Sequence, residues 1–245
     1  MKYKVYLSTK VDHKKLAKGS GIIVIEPDDY KDEEVQAIKK KGYKVLAYLS
    51  VGTIEKERTW WKQYKKYKLQ QLEDWPNEWY VDLRKAEWVN FLIARAKMLK
   101  EIGYSGLWCD NLDVYEYNKS TAMFNACRLA LGKLQEACGY IMVNGGSEFF
   151  DKAMDKKLDL KTMADGVTQE EVFSMITDYS GEGKFGTQES EQSKWYKSYM
   201  KRLLKNGVQT FLLEYTRSDS LKKKIRNFCS KYKMTGYYIS EDVDL

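Results

Sequence analysis

A single histidine, His13, stands in the 245 residues, so a Ser-His-Asp or Cys-His relay and most zinc sites are excluded. Four cysteines are present without a Cys-x-x-Cys spacing. Cys127 and Cys138 fall on one helical pattern eleven residues apart, roughly 16 Å at 1.5 Å per residue, too far for a disulfide. His13 lies in Val11-Asp12-His13-Lys14-Lys15, a solvated helix start. No apolar run approaches the roughly 18 residues of a membrane helix. The opening Met1-Lys2-Tyr3-Lys4-Val5 lacks the apolar centre of a signal peptide. The expected location is outside the cell or in its envelope, with a leader already removed; a cytoplasmic protein is the other option. With thiol and imidazole chemistry set aside and no cofactor or metal expected, hydrolysis here must run on carboxylates.

Carboxylates are what the pattern supplies. Gly106-Leu107-Trp108-Cys109-Asp110-Asn111-Leu112-Asp113 is a short apolar strand ending in acids. The motif recurs: 22–25 ends in Glu26, 140–143 in Asn144, 166–169 in Glu170 and 211–213 in Glu214. Barrel enzymes carry their chemistry at the C-terminal ends of parallel strands, so several such strands predict a carboxylate-lined rim. Strand candidates are 3–8, 21–26, 44–50, 79–82, 106–110, 140–144, 166–170, 208–214 and 236–239.

Between them run helical spacings: Val89, Leu92, Ile93, Ala96, Leu99; Met123, Cys127, Ala130, Leu131, Leu134; Trp195, Tyr199, Met200, Leu203; and Leu221, Ile225, Phe228, Tyr232. Gly42, Gly103, Gly139, Gly207 and Gly236 sit where helix C-caps belong. The βα alternation predicts parallel strands with right-handed crossovers. The expected fold is one (β/α)8 TIM barrel over residues 1–245, with 79–82 surplus. A doubly wound sheet is the alternative, but Ser8-Thr9-Lys10-Val11-Asp12 is not its glycine-rich phosphate loop.

The net charge is +7, from runs such as Lys39-Lys40-Lys41 and Lys222-Lys223-Lys224 on helix faces. A nucleic-acid site would need a contiguous basic groove with interleaved aromatics; here the acids gather at the rim and the lysines elsewhere, so no nucleic-acid partner is expected. The lysines read as a solvated outer face and the chain as a monomer.

Two carboxylates flanking a bond are the minimum for glycoside hydrolysis. Asp110 and Glu170 are the best-placed pair; structural roles, Asp110 capping a turn and Glu170 pairing with Arg58 or Arg84, are the alternatives. Trp60, Trp61 and Tyr215 are the candidate sugar platforms among aromatics near strand ends, which also include Tyr48, Trp79, Trp108, Tyr115 and Tyr238. Val143-Asn144-Gly145-Gly146-Ser147 reads as a strand end, a tight turn and a Ser147 N-cap. The segment 178–186 is a flexible-looking loop after the sixth strand that could fold over a pocket.

Several blocks in order, 42–52 with Glu55 and Arg58, 79–84 with Trp88, and 106–113, resemble glycoside hydrolase family 114, the endo-α-1,4-polygalactosaminidases and related barrel proteins. The resemblance runs from about residue 3 to 239. It implies a (β/α)8 barrel acting on galactosamine- or N-acetylgalactosamine-type polysaccharide, and it puts the family's paired acids on Asp110 and Glu170. Glu26, Tyr48, Glu55, Asp82, Arg84, Asp113, Asn144, Glu214 and Tyr215 are expected to shape the sugar site. Thr53 and Ile54 stand where the family usually has an acid or alanine, and Val143-Asn144 replaces its Lys-Asn. Glu170 and Glu171 compete for the sixth-strand role; alternation points only one inward. The other classes considered are a non-catalytic polysaccharide-binding barrel and a divalent-cation enzyme using Glu26, Asp110, Asp113 and Glu170.

Overall fold

The computed structural model describes residues 1–73 and 75–243. Eight parallel strands follow one another round a barrel in chain order: β1 (Tyr3–Tyr6), β2 (Gly21–Ile25), β3 (Tyr43–Ser50), β4 (Gly106–Asp110), β5 (Ile141–Asn144), β6 (Gly166–Glu170), β7 (Gln209–Tyr215) and β8 (Gly236–Ser240). A parallel bridge between Lys2 and Tyr237 joins the last strand to the first. The expected strands are all present, and the surplus segment lies outside the wall. It belongs to an antiparallel sheet of Thr53–Glu55, Glu78–Val81 and Lys68–Gln71, built into the excursion between β3 and β4.

Helices α1 (Asp32–Lys40), α2 (Ala86–Ile102), α3 (Thr121–Cys138), α4 (Ser147–Asp155), α5 (Ser190–Lys205) and α6 (Asp219–Tyr232) cover the outside. Their apolar stripes bury Trp88, Leu92, Ala96 and Leu99 on α2 and Met123, Cys127, Ala130, Leu131 and Leu134 on α3. All four cysteines are buried and free. Gly103 and Gly139 cap their helices as expected, but Lys233, itself left-handed at φ 56°, ends α6 and leaves Gly236 to open β8. Lys41 and Asn206 cap α1 and α5, with Gly42 and Gly207 one residue beyond, and the N-cap of α4 is Gly146, not Ser147.

Side-chain alternation divides the core in two. Tyr3, Val5, Ile22, Val24, Leu46, Trp108, Met142, Phe211, Leu213 and Tyr215 fill the barrel interior, and the intervening residues pack under the helices. Trp108 donates its Nε1–H to Tyr3 Oη at 2.9 Å, and Tyr3 Oη lies 3.2 Å from Thr168 Oγ1. Trp108 is therefore a floor beneath the site, not a sugar platform. Among the described residues no helix is long and apolar enough to cross a membrane.

Candidate active site

The inward parity of β4, β5, β6 and β7 delivers Asp110, Asn144, Glu170 and Tyr215 to one point at the C-terminal rim. Asn144 Nδ2 donates to Asp110 Oδ1 at 3.0 Å and to Glu170 Oε1 at 2.5 Å. Two oxygens sharing one nitrogen at those distances lie within about 5.5 Å of each other. The Tyr215 hydroxyl donates to Glu170 Oε2 at 2.7 Å. Among the described residues neither carboxylate has an ion-pair partner, so Glu170 pairs with neither Arg58 nor Arg84.

Both acids are pushed above their ordinary range. Asp110 rises to about 7, first by burial and then by the neighbouring Glu170 charge, against hydrogen bonds from Asn144 and the Asn111 amide. Glu170 rises for want of solvent, opposed by Tyr215 and Asn144. Two such carboxyls on one donor resist ionising together, so one can remain an acid while the other ionises.

Each acid is followed by a left-handed residue, Asn111 at φ 63° after β4 and Glu171 at φ 57° after β6. Such a backbone costs about 1 kcal/mol or more for a residue with a Cβ. The turns are held in place by side chains. Asn111 Nδ2 lies 3.0 Å from Ser50 Oγ, 2.9 Å from Thr53 Oγ1 and 3.1 Å from Glu78 Oε1. Glu171 Oε1 accepts from the Ile176 amide at 2.5 Å, so Glu171 anchors the next segment while Glu170 faces the site. Asp113 accepts from the Gly146 amide at 3.1 Å and so holds the turn that carries Asn144. Gly145 and Gly146 both lie at positive φ there, and a Cβ on Gly146 would come within 2.9 Å of Leu112.

The remaining expected residues lie elsewhere. Arg58 donates to Glu26 Oε2 at 2.9 Å, to Glu55 Oε2 at 2.8 Å and to Asp28 Oδ2 at 3.1 Å, under the Tyr48 and Trp60 rings. Glu26 and Glu55 are thus held by an arginine and do not join the acid pair. Asp82 is bound by Arg84 Nε at 2.7 Å and by its amide, an arrangement local to the start of α2. Glu214 has the outward parity between Leu213 and Tyr215. Wholly buried, it accepts from the Phe173 and Ser174 amides and from Ser174 Oγ at 2.7 Å. The expectation that it touches substrate is corrected: it pins the loop after β6. Trp61 packs on Trp79, and Trp60 on Phe91.

Glu78 is the residue the pattern did not flag. It accepts hydrogen bonds from Thr53 and Asn111, and burial lifts it to about 7, helped by the charges of Glu55 and Asp110. It starts the observed strand Glu78–Val81, one residue before the expected segment 79–82, so it ends no strand and matches no strand-end acid pattern. Among the described residues no three His, Cys, Asp or Glu side chains converge to share a cation.

Residues 2–244 match the model of Glycoside-hydrolase family GH114. The chain belongs to that family. It is a glycoside hydrolase by family, and the resemblance read from its motifs holds over nearly its whole length. Among solved structures, the glycoside hydrolase domain of PelA from Pseudomonas aeruginosa is 19% identical, with TM-score 0.79 over 99% of this chain and 96% of that one. Aspergillus fumigatus Ega3 in complex with galactosamine is 16% identical, with TM-score 0.73 over 98% and 90%. At these identities the likeness is one of fold. An uncharacterised protein of Methanocaldococcus jannaschii is 27% identical over 97 residues, 38% of this chain and 28% of that relative's length.

Proposed function

We propose that this protein is an endo-acting hydrolase of α-1,4-linked galactosamine or N-acetylgalactosamine polymers, working by double displacement with Asp110 as nucleophile and Glu170 as acid and base. The observation that carries the reading is the buried Asn144 amide set between two half-buried carboxyls without counter-ions. Carboxyls roughly 5–5.5 Å apart attack and protonate in turn, whereas an inverting pair stands about 6.5–9.5 Å apart to admit water. The shared Asn144 amide brings their nearest oxygens within about 5.5 Å of each other, which supports the first kind. Asp110 attacks the anomeric carbon while Glu170, holding the shared proton, delivers it to the leaving oxygen. Glu170 then takes a proton from water as the glycosyl–Asp110 ester is hydrolysed. Tyr215 fixes the orientation of Glu170 through its hydrogen bond.

The choice of sugar draws on the family and on the galactosamine held by Ega3. It is supported by acids without arginine or lysine partners, which favour an ammonium-bearing polymer locally although the whole chain carries +7. Incubation with α-1,4-galactosamine oligomers of graded acetylation, with products read by mass, tests it. A ladder of mid-length products is expected. No cleavage of any of them, with cleavage of another glycan, would replace the substrate.

A further inference from the structure

Two arms rise from opposite sides of the acid pair and meet. One is the hairpin of Lys68–Gln71 and Glu78–Val81, whose turn end is tied beside Asp110 because Glu78, next to the turn, is bound to Thr53 and Asn111. The other is the hairpin of Ser174–Asp178 and Lys184–Thr187, which occupies the segment expected as a loop. Its root lies beside Glu170: Glu214 binds the Phe173 and Ser174 amides, Glu171 binds that of Ile176, and Phe185 stacks over Tyr215 with centroids 6.3 Å apart. Arg217 fastens its far end through the Glu182 and Gly183 carbonyls.

The tips carry Trp75 and Tyr179, whose rings meet edge-on with centroids 5.8 Å apart. Although they touch, Trp75 remains 54% exposed and Tyr179 47%. Two large rings that meet yet stay about half exposed present an aromatic surface to solvent where the arms join. Since one arm stands at Asp110 and the other at Glu170, their contact spans the path of a chain seated in the site.

We propose that Trp75 and Tyr179 form a sugar-binding subsite, in which a pyranose ring of the polymer, away from the bond being cut, lies against the two rings. The inference rests on the functional reading above and adds to it a length requirement. The apolar face of the pyranose packs on the indole and phenol, and a protonated 2-amino group adds attraction to the ring faces. A ligand too short to pass from the acid pair to the tips gains neither.

The test uses the full chain carrying Glu170→Gln, so that ligands bind without turnover, and calorimetric titration with galactosamine oligomers of increasing length. Affinity should rise with length until the tips are reached. Adding Trp75→Ala or Tyr179→Ala should raise the Kd of long oligomers roughly tenfold, and that of the shortest binding oligomer less than about twofold; Trp75→Tyr should restore most of the loss. An equal effect at every length, or none at any, would overturn the subsite and leave the functional reading standing. Failure of the Glu170→Gln protein to bind any galactosamine oligomer would overturn both. N-acetylated oligomers should show the same length dependence with smaller amplitude.

Discussion

The rim holds two groups of acids that look alike in the sequence and behave differently in the fold. On the β2–β3 side, Glu26, Asp28 and Glu55 surround Arg58, and Arg95 also reaches Asp28. On the β4–β6 side, Asp110, Asp113, Glu170 and Glu171, together with Glu78, have no ion-pair partner among the described residues. An arginine fork satisfies carboxylates and fixes them as charged structure. Acids denied a counter-ion keep a proton to a higher pH, so within the close pair one carboxyl can serve as the acid while the other attacks as the carboxylate. A neighbouring arginine sets Glu26, Asp28 and Glu55 apart from the acid pair, and strand parity sets Glu214 apart from it.

The largest expected effect is on the unpaired side. Asp110→Asn and Glu170→Gln should each lower kcat by about 10³-fold or more with the fold retained, since each keeps shape but removes the nucleophile or the transferable proton. A wild-type rate at either position would remove that residue from the mechanism.

On the paired side the same kind of substitution should strike stability instead. Arg58→Met strands Glu26 and Glu55 and leaves Asp28 to Arg95, and should cost about 3 kcal/mol in urea unfolding. A loss under about 0.5 kcal/mol would show that the arginine does not balance that half of the rim.

The third difference concerns pH. Asp110, Glu78 and Glu214 hold their protons to about 7 in the folded chain, whereas ordinary carboxyls release theirs near 4. Between those values the native state binds more protons than the unfolded one, so stability should fall as pH rises from about 4 to 7 and then level. Asp110→Asn removes one such group and should raise Tm at pH 7.5 by about 2–6 °C, with little change at pH 4. A variant no more stable than wild type at pH 7.5 would show Asp110 to be better solvated than the fold implies.

The smallest expected change separates two neighbours. Glu171→Gln keeps an acceptor for Ile176 and should alter kcat less than about fivefold; a dead Glu171→Gln with an active Glu170→Gln would exchange their roles.

The fold was legible because period-two strands, period-3.6 helices and glycine stops agree along the chain, and because a strand too close to its neighbours for a crossover could be set aside. The acid pair was legible because its members end strands four and six. Glu214 misled because it also ends a strand, although the alternation of Phe211, Leu213 and Tyr215 already assigns it to the outer face. Glu78 starts a strand instead of ending one, so the strand-end pattern that marks Asp110 and Glu170 passes it by. Trp75 drew no attention, since nothing local shows that a residue so far before Tyr179 in the chain will touch it. Which acids Arg58 would take is likewise a matter of tertiary distance, and a helix cap by Lys233 defies the usual preference for glycine.

The account turns on Asp110 being the unpaired acid that attacks carbon. The most direct test is to react the Glu170→Gln protein with an activated galactosaminide, whose leaving group needs no proton, and to weigh its peptides. The account predicts one glycosyl unit on the peptide containing Asp110. An unmodified Asp110 peptide with free sugar of inverted configuration, or a glycosyl unit on the peptide containing Glu171, would contradict it.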